Sequence, residues 1–123
     1  MLRTLFGIAL VSLLAFGLSA RTHAEDVDVS ALGDLSAFKT ISEAAVKSLG
    51  DNDLAAGKAK MKELESEWDA AEATLKPKSA KAWTWLDKKI DHALFLVRAA
   101  KPEADKCKDA VQELVDAFTP AKK

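Results

Sequence analysis

Apolar residues recur at intervals of three and four through four stretches of this chain, and glycine and proline fall almost entirely between those stretches or at their edges. At 100° per residue, such spacing lines apolar side chains along one stripe of a helix, and the breaks between stretches end each helix. The breaks are Gly33, Gly50 with Asp51, Asn52 and Asp53, Pro77 between Lys76 and Lys78, and Pro102. The first stretch, 34–49, aligns Leu35, Phe38, Ile41, Ala45 and Leu49, with Gly50 placed to act as a left-handed cap. The second, 53–76, opens on an aspartate cap and aligns Leu54, Met61, Leu64, Trp68, Ala71 and Leu75, interrupted by Gly57. The third, 79–100, carries Trp83, Leu86, Ile90, Ala93, Leu94 and Val97, and the fourth, 102–118, has Pro102 in its first turn and aligns Ala104, Cys107, Val111, Leu114 and Phe118. Connections this short make successive helices antiparallel. The expectation is an all-α, up-down-up-down four-helix bundle over 34–120.

Ahead of the bundle lies a segment of different character. Met1-Leu2-Arg3 precedes an apolar run from Leu5 to Ala20, followed by Thr22-His23-Ala24 and then Glu25-Asp26. This order of charge, apolar core and small residues reads as a secretory signal peptide over 1–24, cut after Ala24. An uncleaved anchor is the alternative, but a bilayer needs roughly 20 apolar residues, and this run is shorter and contains two glycines and two serines. No cysteine lies near the cut to carry a lipid. Residues 25–33, with Val27, Val29 and Leu32, form either a disordered leader or an extended arm packed on the bundle. The expected location is periplasmic or secreted, with no stable membrane anchor after cleavage.

Composition then excludes several classes. Losing Arg3 and Arg21 leaves 16 of the 18 basic residues against 19 acidic ones, a net charge of −3 with both signs interspersed. Neither nucleic acid nor an anionic membrane surface is a natural partner for that balance. The single Cys107 cannot build an internal disulfide framework, so stability rests on packing. Cys107 lies on the fourth seam as a small buried residue, or else pairs between chains. His23 leaves with the signal peptide, so His92 is the remaining imidazole. With no nucleophile at motif spacing from a base, and no phosphate-binding loop, the chain is not expected to be an enzyme.

Two features depart from a plain bundle. On the third helix a second apolar stripe, Trp85, His92, Phe95, Leu96 and Ala99, lies opposite the first. Trp85, His92 and Leu96 fall within about 40° of one another on the wheel. The arm or a rotation of the helix would cover this stripe, or it presents an interface for self-association or another protein, in which Trp85 and Phe95 are the anchor types, or it binds a small ligand. The second feature is acidic: Glu65 and Glu72 flank Trp68, and Asp87 and Asp91 flank Ile90. A hairpin turning near Pro77 places Glu72 at the level of Asp87 and Trp68 at that of Asp91. Four converging carboxylates would suit a hard cation such as iron, manganese or calcium. The competing reading is ion pairing with Arg98, Lys101, Lys60 or Lys88.

With Met61 on the second helix and Ile90-Asp91-His92-Ala93-Leu94 on the third, the layout resembles that of the cytochrome b562 family. That family's haem ligands are a methionine near the mature N-terminus and a histidine near the C-terminus, and the first and fourth helices here hold neither. A cytochrome c′ reading needs Cys-x-x-Cys-His, which does not occur. Helical periplasmic iron-uptake modules are similar in placing Trp and acidic residues on bundle seams, but their histidine motifs have no counterpart. No cofactor is expected beyond a divalent cation. The expected function is contact with another protein through the third helix, or cation binding at the acidic seam.

Overall fold

The computed structural model describes residues 27–120, and the signal peptide read over 1–24 lies outside the described residues. Four helices pack together: α1 (Ser36–Gly50), α2 (Leu54–Leu75), α3 (Ala80–Val97) and α4 (Ala104–Ala117). No strand occurs among the described residues. Helix α1 packs against α2 and α4, and α3 packs against the same two. The apolar stripes meet in one core, which buries Phe38, Leu49, Met61, Leu64, Trp68, Leu86, Ile90, Leu94, Val111 and Leu114.

The termini follow local chemistry and differ from expectation in three places. Asp53 accepts a hydrogen bond from the Ala56 N–H at 3.0 Å, and Ser79 one from the Ala82 N–H at 3.1 Å, so α2 and α3 start where capping residues stand. The left-handed residue after α1, however, is Asn52 at φ 60°, not Gly50, which closes the helix. Asparagine tolerates that conformation because its short polar side chain bonds locally. Pro102 lies outside α4 rather than in its first turn, and α3 stops at Val97, three residues short of the expected end. Arg98 caps it, its N–H bonding back to the Leu94 carbonyl.

Residues 29–32 form a 3-10 turn, with Asp28 accepting from the Ser30 N–H, and they press Val29 and Leu32 into the core against α3. A second 3-10 turn, Lys76–Lys78, joins α2 to α3 and meets the first. Of the two readings of this segment, its described part is packed, although as a turn rather than an extended arm. Gly57 does not merely interrupt α2. A Cβ there would stand 2.6 Å from Leu49 Cδ2 and 2.8 Å from its Cγ, so the glycine sets how closely α1 and α2 approach.

Four aromatic rings, one from each helix or its cap, tie the core together. Trp68 and Trp83 stack at 3.8 Å with 6° between planes, Phe38 meets Trp68 edge-on at 5.2 Å, and Phe118 stacks on Phe38 at 5.8 Å. Ser42, the buried polar residue of this core, donates its hydroxyl to the Phe38 carbonyl at 2.9 Å.

Candidate functional site

Core contacts fix the rotation of α3, since Trp83, Leu86, Ile90, Leu94 and Val97 are buried. That rotation leaves two shoulders. The one beside α4 carries Trp85, Lys89, His92 and Leu96, and the one beside α2 carries Asp87, Asp91 and Arg98. Phe95 projects outward beyond Asp91, about 60° from His92 on the wheel and about 80° from Trp85. The expected single stripe is therefore two features. Trp85 and Leu96 are half-buried against the core, His92 and Ala99 are exposed, and Phe95 is 73% exposed.

Trp85 is the centre of the first feature. The Lys89 ammonium lies 4.8 Å from its ring centroid, a cation–π contact. Shallow hollows open around the ring. One of about 270 Å³ lies over Ala110, between Lys88, Lys89 and His92 on α3 and Glu113 on α4. Another of about 450 Å³ reaches along α3 to Thr84 and Val27. A third of about 280 Å³ continues toward Asp116 and Ala117. A half-buried indole with open space on several sides offers an apolar side chain something to pack against without unfolding anything.

The acidic seam between α2 and α3 is arranged differently from expectation. Trp68 donates its indole N–H to Asp87 Oδ1 at 3.0 Å, so Trp68 stands at the level of Asp87, one turn from the expected Asp91. Glu65 accepts hydrogen bonds from the two terminal guanidinium nitrogens of Arg98, at 2.7 and 3.4 Å. Glu72 pairs with Lys76 at 3.3 Å, in the turn that follows its own helix, and Lys60 turns to Glu63 rather than to the seam. The four carboxylates thus have separate partners or positions, and among the described residues no three of His, Cys, Asp or Glu are grouped to hold a metal ion.

Electrostatics follow this pairing. The Arg98 hydrogen bond holds the Glu65 carboxyl below its ordinary range, and Glu65 in turn raises Arg98. Asp91 moves upward, first through partial burial and then through Asp87, Glu65 and Asp69 nearby. Burial also raises the Cys107 thiol, a buried residue on the α4 seam. Among the described residues no helix is long and apolar enough to cross a membrane.

Sequence reasoning missed the charge segregation along α3. Residues 76–89 hold five lysines against the single Asp87, whereas the other described residues hold 9 basic and 16 acidic side chains. A windowed charge count shows it, but the like charges are separated by Trp, Thr and Ala and form no run. No protein-family model, curated protein or solved structure matches the chain.

Proposed function

We propose that the chain is an exported up-down-up-down bundle that acts without catalysis, docking another protein on the outer face of α3. The observation that carries this reading is Phe95. A large apolar side chain 73% exposed contributes little to folding, and with Trp85 about 15 Å back along the same helix it supplies the anchor types that interfaces use. The topology draws support from lengths: α2 has 22 residues, about 33 Å, whereas the connection 51–53 spans at most about 10 Å. The aromatic cluster agrees, because it brings the beginnings of α1 and α3 level with the end of α4 and the latter part of α2. Export rests on the sequence of residues 1–24, and predicts an exported form beginning at Glu25.

A photo-crosslinking residue placed at Phe95 in the living host tests the docking reading, with the same residue at exposed Asp109 on α4 as control. A crosslinked species specific to position 95 and weakened by Trp85→Ala is expected. Identical patterns from both positions overturn the proposal. Phe95→Ala itself should leave the unfolding midpoint almost unchanged, within about 0.5 kcal/mol as for an ordinary surface site.

A second reading, a divalent cation at the α2–α3 seam, draws on the like charge gathered around Asp91, which a cation would relieve. Calcium, manganese or iron would then raise the melting temperature, and Glu72→Gln with Asp91→Asn would remove the response. No rise in the wild type ends that reading.

A further inference from the structure

We propose that the partner segment received by α3 is acidic, with an apolar side chain seated in the hollow against Trp85 and its carboxylates on Lys88 and Lys89. This rests on the docking reading above and specifies the chemistry of the occupant. The hollow of about 270 Å³ has Trp85 and Ala110 as apolar surface, Lys88, Lys89 and His92 on the α3 side, and Glu113 across it on α4. An apolar side chain fits between these walls, and the charges beside it fall unequally: two ammonium groups on one side, one carboxylate on the other. Lys88 is exposed and Lys89 lies over the indole, so both are positioned to meet an incoming anion.

The geometry also separates a peptide from an anionic membrane. The basic excess is one helix wide: α3 and the turn before it supply five lysines against Asp87 and Asp91, while on α2 the exposed Glu63, Glu67, Asp69 and Glu72 outnumber Lys58 and Lys62, and on α4 Asp105, Asp109, Glu113 and Asp116 outnumber Lys106 and Lys108. Packed helix axes stand about 8–10 Å apart, comparable to the screening length of about 8 Å at physiological salt. A planar anionic surface laid on α3 would therefore meet the carboxylates of both neighbours. A single acidic chain running along α3 meets the lysines first and can leave the neighbours in solvent.

Titration of the protein with a synthetic peptide of alternating Glu and Asp around a central Leu tests this, followed by NMR at the Trp85 indole N–H and the His92 ring. Saturable shifts confined to Trp85, His92 and their neighbours are expected, weakening as salt is raised. Lys88→Gln with Lys89→Gln should weaken binding about ten-fold, as for two partly exposed pairs somewhat above the middle of their usual range, with the fold retained and the melting temperature lowered only slightly by loss of the Lys89–Trp85 contact. A peptide with Ala in place of Leu should bind more weakly, and one with Lys in place of the acids should not bind. No shift at millimolar peptide, or equal binding of the basic peptide, overturns the proposal. Stronger binding to phosphatidylglycerol vesicles than to the peptide overturns it in favour of a lipid surface. Crosslinking at Phe95 that persists when the peptide fails would leave the docking reading standing and remove only the acidic partner.

Discussion

Asp87 shows how much a single side chain carries in this bundle. Its half-buried carboxylate accepts the indole N–H of Trp68, whose ring is 1% exposed and stacked on Trp83, so losing the acceptor leaves a donor on a nearly buried side chain. Asp87→Ala should destabilise by about 1–3 kcal/mol, the usual consequence of leaving a buried donor unsatisfied, read from urea denaturation. A change under a few tenths would show that the indole finds another acceptor. Asp91, one turn on, predicts the opposite sign. Its folded value is raised, so it binds a proton more tightly folded than unfolded, and its ionised form costs stability above the carboxylate range. Asp91→Asn should therefore stabilise at neutral pH, by less than about 1 kcal/mol because solvent screens the site. The gain should shrink as pH falls through the raised value, and a gain that grows on acidification refutes the assignment. Both carboxylates were legible in the sequence as seam residues. Which of them met the indole was not, because one turn of axial offset between α2 and α3 is set by core packing.

At the scale of the helix, Gly57 decides how α1 and α2 meet. Alanine there gains about 1 kcal/mol of helix propensity, but its Cβ would overlap Leu49, which is 2% exposed and cannot swing into solvent. Overpacking of this kind costs about 1–3 kcal/mol, so Gly57→Ala should destabilise overall. Leu49→Ala should then cost less in the Gly57→Ala background than in the wild type, a double-mutant cycle that additive effects would refute. Periodicity identified the four helices and most of their large buried side chains, since each stripe needs only the local spacing, but it passed over Ser42, Gly57, Ala82, Ala110, Val115 and Ala117, which are buried beside the stripes. It placed their ends less well: Asn52 took the left-handed turn expected of Gly50, and Pro102 stayed outside α4. Those choices depend on where the next helix must begin, which local preference does not contain.

Across the whole molecule, the turn at residues 29–32 belongs to the core while Phe95 does not. Leu32 has no exposed surface, and Leu32→Ala should lower stability by about 2–5 kcal/mol as for other buried leucines. A loss below 1 kcal/mol, measured by thermal melting, would mean that the turn detaches without consequence. The sequence by itself determined an all-helical chain, four amphipathic segments, their connections and their core stripes, because 3.6-residue periodicity and the Gly and Pro breaks are properties of neighbouring residues. Only the tertiary structure decided that the second stripe of α3 divides into a half-buried Trp85 and an outlying Phe95, that Glu65 turns to Arg98, and that the turn at 29–32 is packed. These outcomes follow from the rotation and axial offset of one helix against its neighbours, quantities fixed when all four stripes interlock at once.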